Sequence, residues 1–187
     1  FLYILKKILI FVSIYLVFDV VFFYLLPKNL KSNLYNNRAH RIKSYNYHHD
    51  FRPMATFYDH WGYEKYKIYT NDLGFKDKSN RKVKFKKRNI LFLGDSFTEG
   101  VGLSYEDTYV GIIENKLTKK YKDIEILNAG VQSYSTSIYL SKIYYLLNTK
   151  KLPITDIVIM VSQGDIFDDA FKYLSVDKNY VLDHVDH

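Results

Sequence analysis

Three short apolar runs follow one another in the second half of the chain, at residues 89–93, 124–127 and 157–161, and each is followed by a cluster of Gly, Asn, Ser or Asp residues. Runs of this length that are apolar at nearly every position are typical of strands buried on both faces of a sheet. Because the carboxyl ends of parallel strands meet at one edge, the polar residues that follow the three runs are expected to form one site.

Two amphipathic segments separate the three predicted strands. The first is predicted to be a helix with Asp107 as its N-cap, and the second a helix that begins at Ser135 or Ser137 and ends before Pro153. Strands that alternate with helices need right-handed crossovers, which place the helices on the faces of a parallel sheet. The pattern therefore predicts an α/β fold. Earlier in the chain, residues 66–70 alternate like a strand, and residues 71–74 form a turn signal.

The first run leads directly into Gly-Asp-Ser-Phe-Thr-Glu-Gly at residues 94–100. A serine at the carboxyl end of a buried strand can direct its hydroxyl, as a nucleophile, and its backbone N–H, as an oxyanion donor, into one pocket. Ser96 is therefore the candidate nucleophile. Asp95 is expected to orient the loop through backbone hydrogen bonds rather than to act as an acid or base. Alone, the segment also fits a tight turn with an Asx hydrogen bond.

Together with two later blocks, this segment resembles the SGNH, or GDSL-like, hydrolase family over roughly residues 69–169. The second block ends in Gly130, the third is Ser162-Gln163-Gly164-Asp165, and residues 69–75 are similar to the Asn-x-x-Gly-Phe element that often precedes the first block. The resemblance implies a three-layer, flavodoxin-like α/β fold with a parallel sheet. It also implies that Ser96 is the nucleophile and that the N–H groups of Ser96 and Gly130 belong to the oxyanion hole.

The chain departs from the family pattern at two important points. Gly164 stands where the third block usually has an asparagine that gives a third oxyanion donor, and losing one such donor typically costs about 10²–10³ in rate. Gln163, Ser162 or a water would have to replace it. The family's catalytic histidine lies in a late Asp-x-x-His block, which neither His184 nor His187 matches. We therefore expect an incomplete sheet, a fragment of a longer protein, and no base for Ser96 in this chain.

The N-terminal part is strongly apolar. Residues 8–26 form a 19-residue stretch interrupted only by a serine, two tyrosines and Asp19. At about 1.5 Å per residue it is long enough to cross a bilayer, and its aliphatic and aromatic residues outweigh the cost of about 2.5–3.5 kcal/mol for Asp19. No small-residue cleavage site follows it. The sequence predicts a single-pass transmembrane anchor. The lysines and arginines that follow it favour a cytoplasmic globular part, whereas the resemblance implies an extracytoplasmic one, which we adopt.

Charge is distributed unevenly along the chain. Residues 28–90 hold 16 Lys and Arg against 5 acids, a net +11, whereas residues 91–187 hold 9 against 14, a net −5. The basic part is expected to be attracted to anionic lipid headgroups, and no recognition module accompanies it that would indicate nucleic-acid binding. We divide the chain into a membrane anchor at 1–27, a basic and aromatic-rich accessory segment at 28–87, and the start of the hydrolase-like domain at 88–187.

Metal or cofactor binding is not expected. There is no cysteine, so a thiolate metal site is excluded. A cluster formed by His48, His49, His60 and Trp61 would suit a sugar contact or a metal, but packing of an aromatic-rich loop explains it better. Asp165, Asp168 and Asp169 are better explained as the first turn of a helix than as cation ligands.

The expected function is hydrolysis of an acyl ester by Ser96, with acetyl groups of a cell-surface polysaccharide as the substrate that location and resemblance suggest. The residues do not decide whether water or another hydroxyl accepts the acyl group, so an O-acetyltransferase of the same fold fits equally. A non-catalytic relative that binds a glycan or a membrane partner is the second class of function, because of Gly164 and the missing base. The 187-residue chain alone is expected to show no appreciable esterase activity.

Overall fold

The structure, a computed structural model, describes residues 2–25, 40–61 and 64–173. The chain divides into two compact units, residues 1–38 and 39–187. The first unit contains helix α1, Leu2–Leu25. Within the described residues, no helix combines the length and the apolarity needed to cross a membrane. The structure therefore does not support the predicted transmembrane anchor.

The second unit contains a six-stranded mixed sheet and a separate two-stranded hairpin. The sheet order is β3-β4-β5-β7-β6-β8, and the hairpin pairs β1 with β2. The strands are β1 Arg41–Ser44, β2 His48–Phe51, β3 Thr56–Trp61, β4 Glu64–Thr70, β5 Lys76–Asp77, β6 Arg88–Gly94, β7 Ile124–Asn128 and β8 Asp156–Met160.

The three predicted strands are β6, β7 and β8, and they are neighbouring parallel strands as expected. β6 lies in the middle, with Leu91 opposite Leu127 on one side and opposite Ile157 on the other. β6 and β7 are buried almost throughout, whereas the end of β8 is exposed. Within the described part of the chain, β8 is one of the two edge strands of this sheet, because β6 is its only partner.

Helices cover both faces of the parallel strands. They are α2 Ser96–Glu99, α3 Tyr109–Lys120, α4 Thr136–Tyr144 and α5 Gln163–Phe167, and α4 and α5 each continue into a π-helical turn. Ile90 and Phe92 pack under α3, whereas Leu91 and Leu93 pack with Ile138 of α4. Alternate residues of a strand point to opposite faces, which explains this division. The helix–sheet–helix layers agree with the predicted α/β class.

One predicted cap was wrong, and the other was placed correctly. Thr108, not Asp107, caps α3, because its hydroxyl accepts a hydrogen bond from the Gly111 N–H at 3.0 Å. Asp107 belongs to a 3₁₀ turn just before the helix. α4 begins after Ser135, one of the two predicted starts.

Residues 56–77, which were predicted to belong to an accessory segment, supply three strands to the same sheet. β4 is antiparallel to both β3 and β5, and Lys76 of β5 pairs with Asn128 of β7. The turn predicted at residues 71–74 lies between β4 and β5. The Asn71 side chain accepts hydrogen bonds from the N–H groups of Leu73 and Phe75, and Gly74 has a left-handed φ of 82°. This turn leads the chain from β4 into β5, which pairs with β7.

Candidate active site

Ser96 is the first residue of α2, directly after β6. Asp95 caps this helix, and its carboxylate accepts a hydrogen bond from the Phe97 N–H at 2.9 Å. The Asp95 backbone carbonyl accepts a hydrogen bond from the Glu99 N–H, also at 2.9 Å. The Ser96 side chain is half-buried, and no described residue forms a hydrogen bond with its hydroxyl. The Ser96 hydroxyl thus lies at the N-terminus of α2, where the partial positive charge of the helix dipole stabilises a developing anion.

Gly130 lies against this helix. A Cβ atom at Gly130 would be 2.7 Å from the Glu99 nitrogen and 2.7 Å from the Thr98 Cβ, so only glycine allows this approach. The Gly130 N–H, predicted to be an oxyanion donor, donates to Asn128 Oδ1 at 3.1 Å, while Asn128 Nδ2 donates to the Thr98 carbonyl at 2.9 Å. An oxyanion would therefore have to share this N–H with Asn128.

Replacing Gly130 with alanine is expected to displace α2, because the added methyl group would overlap the Glu99 backbone nitrogen and the Thr98 side chain. Overpacking of this kind typically costs about 1–3 kcal/mol of unfolding free energy. Thermal and urea unfolding would measure it. The Gly164→Ala variant is the control, since a Cβ there would meet only Ser162 Oγ, at 3.5 Å. Equal stability of the two variants would contradict the close packing.

The third strand brings Asp165 to the same edge. Asp165 is buried, and its carboxylate accepts hydrogen bonds from the Tyr139 hydroxyl and the Ser162 N–H, both at 2.8 Å. The Ser162 Oγ atom lies 2.9 Å from Asp165 Oδ1 and 3.0 Å from Asp95 Oδ2. Ser162 thus connects the end of β8 to the loop that carries Ser96.

The Ser162 hydroxyl has one proton but contacts two carboxyl groups. It can donate to only one of them, so the contact with the other is attractive only if that carboxyl carries a proton. Burial, together with the charge of Asp165, raises the pKa of Asp95 above its usual value. The pKa of Asp95 is thus displaced in the direction that favours a proton shared at this contact.

Titration of the Asp95 carboxyl carbon by ¹³C NMR is expected to show a pKa above the ordinary value of about 3.9. Its folded pKa is raised, so its contribution to stability is present below the unfolded pKa and is lost as the pH rises through the folded pKa. The Asp95→Asn variant should lack that loss. Asp165 also raises the pKa of Asp95, through its charge and a side-chain hydrogen bond. An Asp95 pKa at or below the ordinary value would contradict this expectation.

The structure also locates Asp169 and the residues that could replace the missing asparagine. Asp169 accepts hydrogen bonds from the Thr136 hydroxyl and the Ser137 N–H at the start of α4. No group of three or more potential metal ligands occurs in the described ranges.

The residues that could replace the missing asparagine differ in exposure. Gly164 and Gln163 are exposed, whereas the Ser162 hydroxyl contacts the carboxyl groups of Asp95 and Asp165. The Ser162 hydroxyl is therefore already engaged and is not free to act as a further donor.

None of the four described histidines forms a hydrogen bond with Ser96. His40 stacks on Phe57 with ring centroids 4.1 Å apart, and burial lowers its pKa to about 4. His49 donates from Nε2 to the Gln132 carbonyl at 2.9 Å, and burial lowers its pKa to about 4 as well. His184 and His187 lie outside the described residues.

The suggested cluster of histidines and Trp61 is only partly assembled. The rings of His48 and His49 are adjacent, with their Nδ1 atoms 2.7 Å apart. His60 and Trp61 lie on β3, and a Cβ on Gly102 would be 3.1 Å from the Trp61 ring. Trp61 therefore packs against the loop that follows α2 rather than against the histidine pair.

Sequence reasoning missed a buried ion pair that holds α2. Glu99 is fully buried, and Arg41 donates to its two carboxylate oxygens at 2.9 and 3.0 Å. The Gln132 N–H donates to the same carboxylate at 2.5 Å, and Arg41 also donates to Gln132 Oε1 at 3.2 Å. The Glu99 carboxylate therefore connects the β1–β2 hairpin and the loop after β7 to α2, the helix that begins with Ser96.

Lys76 is a second positioning residue that was not predicted. Its buried ammonium group donates to the carbonyls of Gly100, at 2.9 Å, and Leu103, at 2.6 Å. These carbonyls lie at and beyond the C-terminal end of α2, where a cation interacts favourably with the helix dipole. Burial lowers the pKa of Lys76 to about 8. β5 thus supports the end of the helix opposite to Ser96.

Comparison with known proteins gives one structural match. It is AlinE4, an SGNH-hydrolase family esterase, with a TM-score of 0.38 and 23% sequence identity over 55% of this chain and 53% of that one. The chain thus spans about half the length of that structure. Both scores are low, so this match carries no weight in the proposals below. No family model and no curated protein matches the chain.

Proposed function

We propose that this protein is a serine hydrolase of acyl esters, in which Ser96 attacks the acyl carbonyl. The main support is the position of Ser96 at the carboxyl edge of a parallel sheet, on the first turn of a helix, with the loops after β7 and β8 beside it. In open α/β sheets, this edge is where ligands bind.

The reaction would proceed through an acyl-enzyme. The Ser96 oxygen forms a bond to the acyl carbon, the alcohol leaves with a proton, and water then releases the acid and regenerates the serine. The Ser96 N–H, with a share of the Gly130 N–H, would stabilise the oxyanion. Asp95, Ser162 and Asp165 would hold the loop, and the described residues contain no base in contact with Ser96.

The experiment is turnover of an activated acetyl ester by the protein expressed from its complete reading frame. We expect saturable hydrolysis well above the rate of the uncatalysed reaction, because a covalent acyl-serine intermediate splits one difficult step into two easier ones. Acetyl transfer to added glycerol or sugar would distinguish an O-acetyltransferase from a hydrolase. Absence of turnover by the complete protein, with its fold intact by circular dichroism, would exclude both enzymes.

A non-catalytic binding protein is the second candidate, and one observation favours it. The Gly130 N–H is already used by Asn128, and Gly164 provides no side-chain donor, so two of the three expected oxyanion contacts are occupied or missing. Such a protein would bind an acylated carbohydrate without turnover. The same ester assay, combined with calorimetric binding of an acetylated oligosaccharide, separates the two functions.

The proposed substrate is an acetylated polysaccharide at the cell surface, outside the cytoplasm. This rests on the sequence resemblance. Protease accessibility of the protein in intact cells would test the location. Digestion only after the membrane is opened would contradict it.

A further inference from the structure

A cavity of about 860 Å³ opens at the amino ends of β6, β7 and β8, the edge of the sheet opposite Ser96. Its floor is apolar and consists of Ile90 from β6, Leu117 from α3 and Ile124 from β7. Both isoleucines are buried members of the core under α3. The floor therefore offers contact to an apolar group that enters between α3 and the strand ends.

The rim of this basic groove is cationic. It carries three exposed lysines that pair with no carboxylate in the part of the chain that the structure describes: Lys87, Lys120 and Lys122. Arg88, by contrast, donates to both carboxylate oxygens of Asp156, each at 2.8 Å. Apart from Asp156, the only other acid in the lining is Asp123. Three ammonium groups thus remain available to an anion above an apolar floor.

We propose that the basic groove binds one anionic phospholipid, with its phosphate at the lysines and the first part of an acyl chain on the floor. A neutral lipid would leave the lysines unused, and a free anion would leave the apolar floor unused. Lys87 and Arg88 also lie in the segment with the concentrated positive charge, +11 over residues 28–90, which suits an anionic lipid surface. This lipid-binding proposal does not depend on ester hydrolysis by Ser96 at the opposite edge of the sheet.

The test uses a short-chain phosphatidylglycerol below its critical micelle concentration, so that a single lipid is the ligand. Binding to the whole protein is measured by calorimetry at fixed low salt. The test variant is Lys87→Gln/Lys120→Gln/Lys122→Gln, and the control is Lys43→Gln/Lys65→Gln/Lys67→Gln, which removes the same charge from β1 and β4. We expect the test variant to bind about 100-fold more weakly and the control to bind like the unchanged protein.

Two further ligands identify the recognised chemistry. Short-chain phosphatidylcholine should bind much more weakly than phosphatidylglycerol, because its headgroup carries no net charge, and glycerol phosphate should bind more weakly because it lacks the acyl chain. Equal binding of the two lipids, or equal loss in both triple variants, would overturn the proposal. Glycerol phosphate that binds as tightly as phosphatidylglycerol would assign the groove to a free phosphate and also overturn it.

Discussion

Replacing Ser96 with alanine is expected to reduce ester turnover by about 10⁴-fold or more in the protein expressed from its complete reading frame. The change removes the only proposed nucleophile, so no acyl-enzyme can form. The remaining oxyanion donors can then assist only the direct attack of water on the ester. The fold should persist, because the Ser96 hydroxyl makes no hydrogen bond with a described residue. Initial rates with an activated acetyl ester and circular dichroism measure the two effects.

The control is Ser79→Ala, the same chemical change at an exposed serine in the loop after β5. Its turnover should equal that of the unchanged protein. A Ser96→Ala variant that retains more than about a tenth of the activity would show that another group performs the chemistry, since loss of a catalytic serine is far more damaging than this. The proposed nucleophile would then be wrong.

Replacing Asp50 with alanine is expected to destabilise the second unit by about 3–5 kcal/mol, because it leaves the buried Lys142 ammonium without its counter-ion. Both side chains are almost fully buried, and the Lys142 Nζ lies 2.9 Å from Asp50 Oδ2. Lys142 also donates to the Ala129 carbonyl and the Tyr134 hydroxyl, which cannot neutralise its charge. Urea unfolding followed by circular dichroism gives the free energy.

Two comparisons make this prediction specific. Asp156→Ala removes the exposed partner of Arg88 and should leave the unfolding midpoint almost unchanged, because exposed pairs are weak. Asp50→Ala/Lys142→Met should recover much of the lost stability, because it removes the unpaired charge and retains an unbranched side chain. A loss below about 1 kcal/mol for Asp50→Ala would show that the pair is not a buried ion pair.

The parallel strands and their order along the chain could be predicted because the relevant signals are local. β6 and β7 each contain a short, largely apolar run, and each is followed by a turn or loop with its own residue pattern. The same locality placed Ser96 and Gly130 at one edge. The cap of α3 was wrong by one residue because Asp107 and Thr108 have similar capping preferences, and only the three-dimensional path of the preceding 3₁₀ turn distinguishes them.

The contacts that hold the site could not be predicted, because they join distant parts of the chain. Arg41 and Glu99 are 58 residues apart, and the Tyr134 hydroxyl and the His49 carbonyl that it bonds are 85 residues apart. No periodicity indicates which acid a basic residue meets when the chain folds. The basic segment was therefore interpreted as an accessory linker, whereas its charges in part form buried pairs, and its strands extend the sheet.

The most direct test of Ser96 as the nucleophile is covalent labelling with an alkyl fluorophosphonate. The Ser96 oxygen would form a bond to phosphorus, fluoride would leave, and the serine proton would pass to solvent. Tandem mass spectrometry of the complete protein should find one adduct, on Ser96, and none in Ser96→Ala. An adduct on another residue, or no adduct on a folded protein that hydrolyses esters, would contradict the proposed mechanism.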